Sequence, residues 1–255
     1  MKFRDRTILV TGASRGIGAA LAKAFGAEGG LVIVNYRSNA EAAAQVVETC
    51  EAVGGRAVAI AADVTSEAEV GAMFARMREE VGTLDVVVNN AFAPYVFDPD
   101  GRTRFWETPW SDYQGQVDGA LKATYNVCQA ALPLMRQRAR GAIVNMASDL
   151  VARPSVPYHD YTTAKAALIG FSRTLAAELG PLGIRVNCVA PGLVYPTDAS
   201  RGTPEAVKEM LVAQTPLRRV ADVEDVTGPV LFLASDWSRF VTGQTLHVDG
   251  GLVMS

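Results

Sequence analysis

Cysteine is scarce in this sequence of 255 residues: Cys50, Cys128 and Cys188 stand far apart, without the C-x-x-C pairing of a zinc or dithiol site. That excludes a disulfide framework and a cysteine-built metal centre, and free thiols in a reducing compartment are expected. Neither sign of charge dominates, since 24 Lys and Arg face 27 Asp and Glu for a net charge of -3. No basic excess is left to neutralise a nucleic-acid backbone or an anionic membrane. No apolar run approaches the ~18 residues of a membrane span. The charged segment Met1–Arg6 leads into an apolar stretch too short for a signal-peptide core. Nucleic acid, membrane and metal are therefore not expected as partners, and a cytoplasmic location follows by elimination. Repeats, low-complexity tracts and Pro/Ser-rich linkers are missing too, so residues 1–255 read as one domain.

What is present has the balance of an ordinary globular protein, 49% hydrophobic and 20% charged. Short β-branched runs alternate with Ala-rich stretches of helical period, the pattern of a parallel sheet covered by helices on both faces. The strand candidates are Thr7–Val10, Leu31–Val34, Ala57–Ala61, Leu84–Val88, Ala142–Met146, Arg185–Val189 and Thr245–Val248. Helices are predicted at Ile17–Glu28, Ala40–Val53, Ala68–Val81, Asp112–Gln137, Tyr161–Leu179 and Val223–Ala234, with a short one at Pro204–Ala213. Ser66 and Glu69 predict a capping box, and Thr203-Pro204 predicts a helix start. The fold class expected is α/β, a single doubly wound Rossmann-type domain with about seven parallel strands.

The first strand runs directly into Thr11-Gly12-Ala13-Ser14-Arg15-Gly16-Ile17-Gly18 and then into a helix. Glycines there permit a tight turn and a close approach of backbone to a pyrophosphate, and the helix N-terminus favours negative charge. The context predicts a dinucleotide site, although the spacing is G-x-x-x-G-x-G rather than G-x-G-x-x-G.

That variant resembles the short-chain dehydrogenase/reductase family, and the resemblance runs through nearly the whole chain. It continues in Asp63-Val64, in Asn89-Asn90-Ala91, in Ser148, in Tyr161-x-x-x-Lys165 and in Pro191-Gly192. The closing stretch Val241–Gly251 is similar to that of the bacterial 3-oxoacyl-carrier-protein reductase branch. The resemblance implies cofactor contacts from Gly12, Ser14, Arg15, Gly16, Ile17, Gly18, Asp63, Val64, Asn90, Ala91, Tyr161, Lys165, Pro191, Gly192 and Val194, with Lys165 on the ribose. It also implies a homotetramer packed through the long helices, although a buried helix of a monomer has the same apolar content.

NAD and NADP differ by a 2′-phosphate, which an acid at the end of the second strand repels. Here that end reads Asn35-Tyr36-Arg37-Ser38, with Tyr36 where NAD users of the family carry the acid. Arg37 and Arg15 instead offer two guanidinium groups suited to a phosphate, so NADP(H) is expected, with Tyr36, Arg37 and Ser38 at the discriminating end.

Reducing a ketone needs a hydride for carbon and a proton for oxygen. Tyr161 is the expected acid, with Lys165 one helical turn away on the same face to lower its pKa. Ser148 is expected to hydrogen-bond the carbonyl oxygen. Tyr158 competes poorly, having Thr162 rather than lysine at i+4.

Three positions depart from the family pattern. Ala120 stands where many members carry an asparagine held to anchor a proton-relaying water. Asp118, two residues earlier, is expected to turn about 200° away on a regular helix. Phe92 replaces the glycine of N-N-A-G, and Pro196 replaces a threonine after Pro191-Gly192, with Thr197 one later.

The irregular segment Phe92–Pro109 carries Phe92, Tyr95, Phe97, Phe105 and Trp106, which fit an apolar substrate wall or loop packing equally. An acidic acyl carrier protein as partner would call for basic residues near the pocket, and Arg102, Arg104, Arg136, Arg138 and Arg140 are the candidates. The leading expectation is an NADP(H)-dependent reductase of a 3-oxoacyl thioester or related carbonyl. A dehydrogenase of a sugar, polyol or other secondary alcohol and a cofactor-binding module with little activity stay open.

Overall fold

The run Thr7-Ile8-Leu9-Val10 is buried at every position, which suits only a strand covered on both faces. This strand, β1 (Thr7–Val10), belongs to a computed structural model that describes residues 3–254. The others are β2 (Leu31–Tyr36), β3 (Arg56–Ala61), β4 (Val86–Asn89), β5 (Gly141–Met146), β6 (Ile184–Pro191) and β7 (Thr245–Val248). All seven pair parallel in the order β3-β2-β1-β4-β5-β6-β7. The expected sheet is thus present. β4 starts two residues later than expected and takes in Asn89, whose amide donates to Asn145 Oδ1 at 2.8 Å on β5.

The helices are α1 (Gly16–Ala27), α2 (Ala40–Ala52), α3 (Glu67–Glu80), α4 (Trp110–Val117), α5 (Ala123–Met135), α6 (His159–Leu179), α7 (Glu205–Gln214) and α8 (Val223–Ala234). Successive strand residues point to opposite faces, and the core divides accordingly. Ile8, Val10, Val32 and Val34 pack with α1, α2 and α8, whereas Leu9, Ile33 and Val87 pack with α3, α5 and α6. Strand order reverses between β1 and β4, and in open α/β sheets ligands bind in the crevice beyond the strand ends at such a point.

The helix predicted over Asp112–Gln137 is present as one continuous run, in which a π-helical turn, Asp118–Lys122, joins α4 and α5. A Cβ on Gly119 would lie 2.4 Å from the Ala93 side chain, so the helix meets the Phe92–Pro109 segment here without room for a regular side-chain layer. Two local expectations are corrected. Ser66 does cap α3 through the Glu69 amide, but the Glu69 carboxylate turns to the Asp63 N–H at 2.8 Å, so no reciprocal box forms. The box occurs instead at Asp222 and Asp225, at the start of α8. Pro204, not Thr203, is the N-cap of α7, and the Thr203 hydroxyl is buried without a hydrogen bond.

Candidate active site

The turn after β1 is held from three sides. Asn35 on β2 accepts from the Gly12 N–H at 3.3 Å and donates to the carbonyls of Ile60 and Ala62. Thr11 Oγ1 accepts from the amides of Asn90 and Ala91, both at 3.0 Å, and the Asn90 side chain donates back to Thr11 and Gly12. Gly12 and Gly16 have φ of +61° and +54°, which side chains rarely adopt. A Cβ on Gly18 would lie 2.4 Å from the Gly12 carbonyl, whereas one on Gly16 would meet nothing within 4 Å. The turn is therefore packed to its limit behind and open in front. α1 begins with no side-chain cap and no acid in its first turn, leaving its amides and positive end to an anion.

In front lies a cavity of about 850 Å³. Its wall includes Gly12, Ser14, Arg15, Gly16, Ile17, Gly18, Arg37, Ser38, Asp63, Val64, Asn90, Ala91, Pro191, Gly192 and Val194, together with Ser148, Tyr161 and Lys165. Tyr36 is the exception: it packs against the core on the α1 side rather than lining the cavity. The two nominated arginines are exposed and engaged. Arg15 lies 2.9 Å from Asp198, and Arg37 lies 3.9 Å from Asp63. Exposed pairs of this kind are worth about 1 kcal/mol or less, so a phosphate can exchange for the carboxylates. An uncapped helix end, an open glycine turn and two exchangeable cations fit a phosphorylated dinucleotide.

At the other end of the cavity stand the three nominated reacting groups. Ser148 follows β5; Tyr161 and Lys165 are one turn apart on α6, and all three are buried. Lys165 Nζ donates to the Met146 carbonyl at 2.7 Å and lies 5.2 Å from the centroid of the Phe92 ring. Rings surround Tyr161: Tyr95 and Phe97 at 5.1 Å, Phe92 at 6.3 Å. Tyr95 also donates to Asp160 at 3.0 Å. The aromatic segment thus forms part of the wall around the acid, and Phe97 N–H reaches the Ala199 carbonyl across the cavity.

Burial pushes the Tyr161 hydroxyl above its ordinary value; the hydrogen bond with Ser148 opposes this and the charge of Asp149 adds to it. The Lys165 ammonium donates to the Met146 carbonyl and lies 5.7 Å from the Tyr161 ring centroid. Burial pulls Lys165 itself down to about 8. The arrangement holds Tyr161 as a proton-bearing acid.

Gly115, Asp118, Gly119 and Lys122 line the cavity, the i, i+3, i+4, i+7 face of a helix, while Ala120 is buried and absent from its wall. Asp118 and Ala120 thus point apart, as the helical period predicts. The Asp118 carboxylate accepts from Gln114 at 3.0 Å.

Sequence reasoning passed over two wall residues. Asp198 pairs with Arg15, and no local pattern announces it. Asp149, beside Ser148, is buried with a carboxyl raised to about 7, first by burial and then by the charge of Asp249. Its one local signal is an acid at the end of an otherwise apolar strand.

Residues 12–253 match a family model described as enoyl-(acyl carrier protein) reductase. The chain is 39% identical over 249 residues to the 3-oxoacyl-[acyl-carrier-protein] reductase FabG of Staphylococcus aureus strain N315, covering 98% of both chains. It is likewise 39% identical to the reductase of that name from Chlamydia muridarum, over 97% of each. Among solved structures, a putative gluconate dehydrogenase from Agrobacterium tumefaciens superposes with a TM-score of 0.92 at 32% identity, covering 99% of this chain and 98% of that one. A 7α-hydroxysteroid dehydrogenase complexed with NADH and 7-oxo glycochenodeoxycholic acid gives 0.89 at 31% identity, covering 100% of this chain and 96% of the other.

Proposed function

The chain belongs to the short-chain dehydrogenase/reductase family, and we propose that within it this protein reduces a ketone, a 3-oxoacyl thioester or a related carbonyl, to a secondary alcohol with NADP(H). The observation that carries the reading is the convergence of Ser148, Tyr161 and Lys165 on one end of a cavity whose other end is an uncapped glycine turn. Gly12 to Gly18 would hold the pyrophosphate, Asp63 and Val64 the adenine, and Arg15, Arg37 and Ser38 the 2′-phosphate. Asn90, Ala91 and Pro191 to Val194 would flank the nicotinamide, with Lys165 on its ribose. When bound, the cofactor supplies the hydride.

The residues of the chain do the rest. Ser148 donates to the carbonyl oxygen and shares the charge that grows there. Tyr161 gives its proton to the same oxygen. Arg102, donating to the Pro157 carbonyl beside the cavity residues Val156 and Tyr158, is the cation best placed to meet an acidic carrier protein. Arg138 and Arg140 are turned instead toward Asp85 and Asp236.

Two measurements check this. Acetoacetyl thioesters, simple and aromatic ketones, an enoyl thioester, and alcohols in reverse are assayed with both cofactors beside a Tyr161→Phe control. Ketone reduction with NADPH is expected to dominate. Equal or better turnover with NADH, or reduction confined to the enoyl double bond, overturns the reading. In the second, Arg37→Asp is expected to weaken NADPH binding about 10- to 100-fold, the worth of one charged hydrogen bond, and to leave NADH nearly unchanged. An equal loss with both cofactors would remove Arg37 from the phosphate.

A further inference from the structure

A reductase acid must regain its proton after each turnover. Tyr161 sits behind a wall of rings, and the polar groups near it are few. The ammonium of Lys165 gives one N–H to the Met146 carbonyl, and Ala120 offers no side-chain donor. Ser148, hydrogen-bonded to Tyr161, has one further side-chain partner: its hydroxyl donates to Asp149 Oδ1 at 3.4 Å, in a buried pair.

Asp149 is an unusual residue for this position. It lines the cavity, with its other oxygen 3.4 Å from where a Cβ on Gly192 would stand. Against the same face of Gly192 lies Asp249, after β7, whose two oxygens accept the amides of Gly251 and Val253 at 3.0 and 2.8 Å. The groups acting on the Asp149 carboxyl are Asp249, which raises its pKa, and the Leu150 amide, the Ser148 hydroxyl and Arg153, which lower it. Arg153 is itself held by Gln214 and the Leu252 carbonyl. A carboxyl near about 7 is partly protonated at neutral pH.

We propose that Asp149 resupplies the proton that Tyr161 gives up, passing it through the Ser148 hydroxyl. The step rests on the reductase reading above. For the transfer the Ser148 hydroxyl turns from Asp149 Oδ1 toward Tyr161, so that its lone pair faces the protonated carboxyl. The carboxyl O–H bond then breaks as Ser148 Oγ takes its proton, and the former Ser148 O–H bond breaks toward the phenolate oxygen of Tyr161. Each electron pair stays on its oxygen, and nothing is oxidised or reduced. Asp149 is left as a carboxylate that water in the cavity reprotonates.

Asp149→Asn keeps the size and polarity of the side chain and removes the transferable proton. It is expected to fold, and to melt higher than wild type at pH 8. The folded pKa lies above the unfolded one, so the buried carboxylate destabilises the fold increasingly as pH rises through about 7, and the amide removes that effect. Its kcat for ketone reduction is expected to fall 10- to 100-fold near neutral pH, within the range of one proton-transfer group, with KM and NADPH affinity unchanged. The limb of the kcat profile near pH 7 should disappear, and Asp149→Glu should restore it.

A merely structural role would raise KM or lower the melting temperature, and would keep the limb. Unchanged kcat and profile in Asp149→Asn overturn the relay, as does an infrared pH titration of the wild type showing no carboxyl that titrates near 7. If instead the wild type reduces no ketone above Tyr161→Phe, the parent reading fails and takes the relay with it.

Discussion

Replacing Tyr161 by phenylalanine is expected to lower kcat for ketone reduction by about 100- to 10,000-fold, the usual worth of a positioned general acid. The same variant should keep its melting temperature and its NADPH affinity. The ring contacts with Tyr95, Phe97 and Phe92 involve the aromatic face and edge, all of which phenylalanine retains. What leaves is one hydroxyl, placed at the end of the cavity beside Ser148. Steady-state rates and quenching of protein fluorescence by NADPH separate the two quantities. Activity within tenfold of wild type would move the acid elsewhere. Tyr158 would be the first alternative, though burial pushes it up to about 12 and its ring packs against Tyr95 and Phe97.

The second large effect is expected from a single methyl group on the glycine turn. A Cβ at position 18 would meet the Gly12 carbonyl at 2.4 Å, Asn90 Nδ2 at 2.7 Å and Ala13 Cα at 2.9 Å, and two of these are backbone atoms that cannot swing away. Gly18→Ala should therefore destabilise by about 1–3 kcal/mol, a fall in Tm of roughly 2–12 °C for a chain of this size. Because the displaced atoms form the cradle itself, NADPH affinity should fall with it. Gly71, exposed in the middle of α3, is the internal control: a Cβ there meets nothing within 4 Å. Gly71→Ala should stabilise by about 0.5–1 kcal/mol through helix propensity and leave binding alone. Thermal melts with and without NADPH decide both, and a Gly18→Ala protein that binds normally would mean the turn is not the pyrophosphate site.

Much of this site could be read from the sequence because its determinants are local. Alternation in Ile8-Leu9-Val10 needs only the pleat of a strand to assign faces, and the glycines at 12, 16 and 18 need only a strand before and a helix after. Tyr161 and Lys165 share a face because of a fixed helical period, which α6 obeys. What escaped was tertiary. The π turn at Asp118–Lys122 packs Gly119 against Ala93, a contact that no window of local sequence contains. Where the Lys165 ammonium ends could not follow from spacing, which says only which way a lysine leaves its helix; the Met146 carbonyl receives it. The surroundings of Asp149 depend on Asp249, which only the placement of β7 brings alongside. Tyr36 was assigned by position along β2, but the strand continues through it and turns its ring to the core.

The strand order has a consequence for how this molecule is made. Every neighbouring pair of strands is parallel, so each pairing must close a long crossover before it gains any contact, and β1 meets β4 only after β2 and β3 have been laid aside. Such topologies fold slowly, because loop entropy is spent ahead of its return. The groups around the cavity hang on the ends of six of these strands, from Gly12 beyond β1 to Gly192 beyond β6. During synthesis the site is completed late: until β6 has left the ribosome and docked against β5, the wall that carries Gly192 does not exist.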